Sequence, residues 1–274
     1  MASAQAVSLI YHDVFDGLEH QRSGFPSPDA AIYKLEATQF AAHMKALSRV
    51  LPEKPHNVLS RGRLERGTSF FLTFDDGGVS AHSHVVDRLE SLGWVGHFFV
   101  STGYIGQPSF MNSRQIRELV RRGHVVGSHS HSHPLLMANC SPEELRKEWQ
   151  SSIDILSDIV GAPVKVASVP GGHYSRQVAD AAALAGIEVL FTSEPTTAIH
   201  RVGRCLVLGR YGIQQRTSPE MAASLAVGQG SSRLRQGVLW NIKKCLKRLG
   251  GGHYLTVRRV VIDKFRGSAA AGNR

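Results

Sequence analysis

Short apolar runs alternate along this chain with stretches of helical spacing. Val7–Tyr11, Ser69–Phe74, Val95–Val100, Val125–Gly127, Val164–Val169 and Val189–Phe191 are rich in Val, Ile and Phe and bounded by Gly, Pro or polar clusters, so they read as buried strands. Between them, Thr38–Val50 carries Phe40, Met44 and Leu47 at helical spacing, and Ser80–Leu92 groups Val85, Val86 and Leu89. Ser113 is placed to cap a helix Arg114–Arg122 that turns Ile116, Leu119 and Val120 inward. Ser141, followed by Pro142 and two glutamates, opens a helix running toward Val160, and Arg176–Ala185 forms another that Gly186 stops. Strand followed by helix, repeated in this way, predicts an α/β domain on a mostly parallel sheet. Asp16–Ala30 is a long loop, of the kind that often serves as a lid.

Polar residues gather where the strands stop. Val7–Tyr11 runs into His12-Asp13, and Ser69–Phe74 into Asp75-Asp76-Gly77. Val125–Gly127 runs into the alternating Ser-His segment 128–133, and Val164–Val169 into Pro170-Gly171-Gly172. In an α/β barrel those strand ends share one face, so carboxylates and imidazoles from separate strands can meet there as a zinc-type ligand set. Each segment also has a plainer reading. Asp-Asp-Gly serves equally well as a turn, and a Ser-His run as a solvated loop. His82 and His84 read as surface or packing residues of a helix, and His97 as a satisfied histidine inside an apolar strand.

Composition narrows the class. The 274 residues are 42% hydrophobic, enough to bury a substantial core, and no apolar stretch approaches the roughly 18 residues of a membrane span. Cys140, Cys205 and Cys245 lack CxxC spacing and suggest neither a disulfide framework nor a thiolate metal site. Met1–Tyr11 has no early Lys or Arg and does not read as a secretory signal, so a cytoplasmic setting is expected. The net charge of +10 comes from one end: residues 200–274 hold 15 Lys or Arg against Glu220 and Asp263, a net of +13. From about Ser231 the pattern becomes an amphipathic helix with Leu234, Val238, Ile242, Cys245 and Leu249 on one side, then a basic apolar stretch Tyr254–Phe265 and a disordered end. Such a tail fits either a cap on the barrel or peripheral contact with an anionic membrane at its inner face. Charge without a nucleic-acid motif is a weak argument for nucleic acid.

Thr73-Phe74-Asp75-Asp76-Gly77, followed about fifty residues later by His129-Ser130-x-x-His133, resembles the NodB-homology polysaccharide deacetylases, carbohydrate esterase family 4. Gly96–Val100 and Gly123–His129 look like that family's strands, and the likeness runs from Val7 to Phe191. The resemblance implies a distorted (β/α) barrel of about seven strands over residues 1–200, a closing strand and linker over 201–230, and the basic helical extension over 231–274. It implies one divalent metal, zinc being the usual one, held by Asp76, His129 and His133, with Asp75 as catalytic base. His133 precedes Pro134 as in the family's pattern, which leaves His131 as a spacer. Gly171 stands where family members donate a backbone N–H to the oxyanion, with Gly172 beside it.

Two departures stand out. The family's Arg-x-Pro-aromatic-Gly motif reads Ser168-Val169-Pro170-Gly171-Gly172 here, so the arginine that pairs with the base is missing; Arg176 or His173 are the candidates to replace it. The late strand ending in Leu-x-Leu-His is also absent, and Leu206–Arg210 has no histidine. Leu9-Ile10-Tyr11-His12-Asp13 has that form, as in circularly permuted family members, which makes His12 the expected general acid. The expected function is therefore metal-dependent removal of N-acetyl groups from an amino-sugar glycan or a lipid-linked sugar. Hydrolysis of a non-sugar amide or imide, and a degenerate glycan-binding barrel, are the alternatives. The low aromatic content, 7%, offers little for sugar platforms and keeps the first alternative open.

Overall fold

The computed structural model describes residues 4–17, 22–60, 64 and 67–250, with 243–250 as backbone only. In chain order the strands are β1 (Gln5–Tyr11), β2 (Val14–Phe15), β3 (Leu35–Glu36), β4 (Thr68–Phe74), β5 (Gly96–Val100), β6 (Val125–Ser128), β7 (Val166–Ser168), β8 (Val189–Phe191), β9 (Ile199–Val202), β10 (Cys205–Leu208) and β11 (Tyr211–Gly212). The α-helices are α1 (Pro28–Ala31), α2 (Ala37–Val50), α3 (Val86–Glu90), α4 (Ser113–Arg121), α5 (Pro142–Val160), α6 (Arg176–Leu184), α7 (Pro219–Val227) and α8 (Ser232–Gly250).

Among the described residues, nine strands form one sheet in the order β11-β1-β4-β5-β6-β7-β8-β10-β9. Of its described strand pairs, only β9 and β10 run antiparallel. The seven longer parallel strands are the staves expected from the sequence; β11, of two residues, and β9, the antiparallel edge, make up the difference. The sheet curls until Gln5, at the start of β1, bridges Ala198 just before β9.

Alternation along each strand separates two layers, because successive side chains point to opposite faces. Phe71 and Phe99 belong to one apolar cluster with Phe191 and Leu208, while their neighbours Leu72 and Phe98 pack with α2, α3 and α7 residues in another. A third cluster joins α5 and α6 to β7, β8 and β10 through Trp149, Val178 and Leu190.

Local signals hold with small corrections. Asn112, not Ser113, caps α4, through a capping box with Gln115, because Asn112 takes the extended backbone and Ser113 the first helical turn. Ile116 and Leu119 are buried as expected, but Val120 is 37% exposed, one position past the inward stripe. The helix expected over Ser80–Leu92 begins as a π-helical turn, Ala81–Val85. Ser141 caps α5 with Glu144 reaching back, and Gly161 ends it in the left-handed conformation.

His97 is a satisfied core histidine, and it makes stability depend on pH. Its Nε2 accepts from the Val58 amide at 3.0 Å and its Nδ1 lies 3.1 Å from the Leu72 carbonyl, fixing the neutral tautomer. Burial pushes its pKa from 6.5 down to about 4. Below pH 6.5 the unfolded chain takes up a proton on this ring that the folded chain refuses, so stability falls as the pH drops toward 4. The expected loss from this residue is about 3 kcal/mol between pH 7 and pH 4. Urea unfolding at both pH values checks it: His97→Gln should show that much less pH dependence than the wild type, and equal dependence would refute the assignment.

The contacts divide the chain into Met1–Arg233 and Leu234–Arg274. In α8 the expected apolar positions Leu234, Val238 and Ile242 are all exposed. The side chains of Cys245 and Leu249 and the whole stretch Tyr254–Phe265 lie outside the described residues. No described helix is long and apolar enough to cross a membrane. Cys140 and Cys205 are free.

Candidate active site

Register brings the polar strand ends together. Tyr11 pairs with Phe74, so His12 and Asp75 leave adjacent strands side by side, and the Asp75 amide donates to the Tyr11 carbonyl at 3.0 Å. Val100 pairs with Ser128 and Ser128 with Ala167, which sets His129 beside Ser168.

Asp76, His129 and His133 converge. Asp76 Oδ1 lies 3.4 Å from His129 Nε2 and 3.5 Å from His133 Nε2. One donor atom from each residue falls within 4.8 Å of the other two. His129 Nδ1 is held by Ser168, at 2.6 Å from the hydroxyl and 3.1 Å from the carbonyl, which leaves Nε2 turned to the common point. A fixed second nitrogen is the usual arrangement of a metal-ligating histidine. Asp76 and His133 both adopt positive φ, 77° and 56°, a strained backbone for residues with side chains and one typical of functional sites. Burial alone would raise the Asp76 pKa, but hydrogen bonds from His129 and His133 hold it well below the usual range, and the charge of His12 adds to them. Burial would lower the His133 pKa; Asp76 more than offsets this and raises it. One carboxylate and two imidazoles, buried and converging, fit a divalent ion such as zinc.

The loop carrying these histidines is clamped from α5. The Glu148 carboxylate accepts from the His131 amide at 2.9 Å, the Ser132 amide at 2.8 Å and the Ser132 hydroxyl at 2.6 Å. His131 itself turns away to Thr102, Nδ1 to Oγ1 2.9 Å, in keeping with a spacer.

Asp75 is buried against an arginine that the sequence did not point out. Arg210, in the Gly209-Arg210 link between β10 and β11, is fully buried. Its guanidinium donates to both Asp75 oxygens, at 2.7 and 2.9 Å, and also to Thr73 Oγ1 at 3.0 Å and the Thr192 carbonyl at 2.9 Å. It lies between Phe99 and Phe191, 5.7 and 5.8 Å from their ring centres. Neither expected substitute for the missing arginine takes this place. Arg176 is largely exposed on α6 beside Asp180, 3.6 Å away, and His173 follows the glycine turn. The physical reason is topological. The two-residue link 209–210 joins β10, paired with β8, to β11, paired with β1, and so delivers residue 210 to Asp75 where the curled sheet closes. Ser168, small and buried, leaves the room and bridges Asp75 to His129, its Oγ 3.2 Å from Asp75 Oδ1. Burial would raise the Asp75 pKa, but Arg210 first and His129 second bring it below the ordinary value. The one signal in the sequence was an arginine set between the apolar run of β10 and Tyr211.

His12 is half-buried, its ring 4.7 Å from that of Tyr33, and its Nδ1 is buried with no hydrogen-bond partner among the described residues. Its charge acts on both Asp75 and Asp76. Gly171 and Gly172 form the turn after β7, at φ 62° and 67°, with Gly171 exposed on the rim. His43 is a buried structural residue between Tyr11 and the Thr217 carbonyl.

The 16–30 loop is tied down on both sides of its undescribed residues. Asp13, buried at the end of β1, accepts from Ser23 at 2.6 Å and Ser80 at 2.9 Å. Buried Lys34 donates to the Ser23 carbonyl at 2.5 Å. Gly24 and Gly78 close over the carboxylate so tightly that a Cβ on either would fall on it.

The polysaccharide deacetylase family profile matches residues 64–190, the stretch that supplies Asp75, Asp76, His129 and His133. Residues 64–190 form a polysaccharide deacetylase domain. YxkH of Bacillus subtilis (strain 168), named for the same family, is 24% identical over 192 residues, covering 68% of this chain and 66% of that protein. A 30.6 kDa protein of Geobacillus stearothermophilus is 30% identical over 33% of each chain. The chain thus spans just under two thirds of the first relative and one third of the second. Among solved structures, Streptococcus pyogenes deacetylase PplD in complex with acetate superposes with a TM-score of 0.63 at 20% identity, over 80% of this chain and 96% of that one. IcaB from Ammonifex degensii gives 0.66 at 21%, over 82% and 98%. At such identities these likenesses establish the deacetylase barrel fold.

Proposed function

We propose that this deacetylase-family chain removes the acetyl group from an N-acetylated amino sugar in a glycan or glycan precursor, in a metal-dependent reaction. The observation that carries the reading is a buried carboxylate, Asp75, gripped by Arg210 beside the converging Asp76, His129 and His133. A zinc ion held by those three residues would supply Lewis acidity toward the acetyl carbonyl and acidify a water. Asp75 then acts as general base: it is kept ionised by Arg210, and it takes the proton of the attacking water. Arg210 acts through Asp75 as a positioning residue. His12, on the neighbouring strand end, donates a proton to the departing sugar nitrogen, which leaves only as an amine. The Gly171 N–H, with Gly172 shaping the turn, stabilises the oxyanion. Acetate and the free amine are the products, and the proton that Asp75 gained offsets the one His12 gave.

The test measures acetate release from N-acetylglucosamine oligomers by the purified protein as isolated, after chelation, and after zinc is restored, with bound metal quantified. The expected result is near one metal per chain, loss of acetate release on chelation and its return with zinc. Metal bound without acetate from any sugar would overturn the reading in favour of a non-sugar amide or a binding role.

A further inference from the structure

Three aromatic rings from two segments meet beside the metal-ligand candidate His133. Phe25, from the 16–30 loop, lies 4.8 Å from Tyr104, 5.1 Å from Phe110 and 4.9 Å from the His133 ring, centre to centre. Tyr104 and Phe110 are themselves 5.0 Å apart. All three are half-buried, so the group presents ring surface to solvent while it packs internally.

The group is held by backbone, not by side-chain packing alone. The Ser109 carbonyl accepts from both the Gly24 amide, at 2.8 Å, and the Val79 amide, at 2.9 Å. Met111 donates to the Gly77 carbonyl at 3.0 Å, and Gly78 bridges Phe110. Phe25 and Phe110 are thereby fastened to the residues that directly follow Asp75 and Asp76. Ser109 reaches its place only by taking φ 73°, a conformation that costs a non-glycine residue about 1 kcal/mol or more. The same loop carries exposed Gln107 and half-buried Ser109, so ring faces and hydrogen-bonding groups alternate along it. A stiff aromatic surface interspersed with polar groups suits the apolar face and hydroxyl rim of a pyranose; an acyl chain would call for a continuous apolar channel.

From this we infer that Phe25, Tyr104 and Phe110 form a sugar-binding subsite that receives the pyranose ring next to the one being deacetylated. The inference rests on the deacetylase reading above and adds to it a requirement for an oligomeric substrate. The rings are few in this chain, but three of them meet beside His133.

The experiment compares two probes on zinc-loaded protein: the N-acetylglucosamine tetramer, which spans the subsite, and 4-nitrophenyl acetate, which does not. Phe25→Leu keeps an apolar side chain against His133 without a ring face, and Tyr104→Leu removes a second ring farther from it. For each variant the loss of kcat/KM on the tetramer should exceed the loss on the aryl ester by about tenfold, carried mainly by KM. Equal losses on both probes would reduce the rings to a support for His133, and no loss on either would remove the subsite. Should the wild type cleave the aryl ester but no sugar, the subsite fails while the hydrolytic centre stands. Should it cleave neither, the hydrolase reading fails, and calorimetric binding of the tetramer to wild type and Phe25→Leu decides the subsite separately: tetramer binding weakened by the variant supports it, and no binding ends it.

Discussion

Arg210→Gln is expected to lower kcat/KM for acetate release by about 100-fold and to move the acid limb of the pH profile upward. Burial pushes the Asp75 pKa up, and the Arg210 charge is the main influence bringing it down again. Without that charge the carboxyl is protonated over part of the range in which the wild type works, so activity should partly recover as the pH is raised. A merely structural arginine would depress the rate evenly and leave the limb in place. Arg210→Lys keeps the charge but not the two-pronged grip on the carboxylate, so it should fall between the two, with a smaller shift. Removing one partner of a buried ion pair also costs about 3–5 kcal/mol of stability, which thermal unfolding should record. If the Gln variant does not fold, the Lys variant carries the test. An unshifted acid limb there would sink the assignment.

His12→Asn should cost about 10² to 10⁴ in kcat on an acetamide substrate, the range for a lost general acid. The same change should matter far less for 4-nitrophenyl acetate, because a nitrophenolate departs without a proton. That contrast separates proton donation from simple packing against Tyr33, which would affect both substrates alike. Near wild-type turnover of the amide would return His12 to a strand-end role. Its position favours the chemical one: the β1–β4 register sets it beside Asp75, and its buried Nδ1 has no partner among the described residues.

Much of the architecture was legible in the chain because strand and helix signals are local. The runs ending at Phe74, Val100 and Phe191 are strands that end at those residues, and Ser141 caps a helix as its neighbours imply. Asp75, Asp76, His129 and His133 could be grouped because they follow strands whose parallel pairing was foreseeable, and because their spacing resembles a known family's. Arg210 could not be found in this way. It lies 135 residues from its partner Asp75, and its place between the apolar run of β10 and Tyr211 does not say which carboxylate it meets. Only the crossing from β10 to β11 carries it into the barrel. Phe25, Tyr104 and Phe110 escaped notice for a related reason: low aromatic content describes the chain as a whole and says nothing about where its rings collect.

By itself the sequence determined the alternation of elements, the buried faces of most of them, and the residue types gathered at the strand ends. These follow from hydrophobic periodicity and capping chemistry, which act over a few residues. Tertiary structure decided which arginine meets the buried Asp75, which loop supplies rings beside His133, and how Glu148 braces the histidine loop. Those choices depend on strand order and sheet curvature, which bring together groups far apart in sequence. An ionised carboxylate needs a compensating charge when it is buried, wherever along the chain that charge resides. The fold meets that need from residue 210 and not from residue 168.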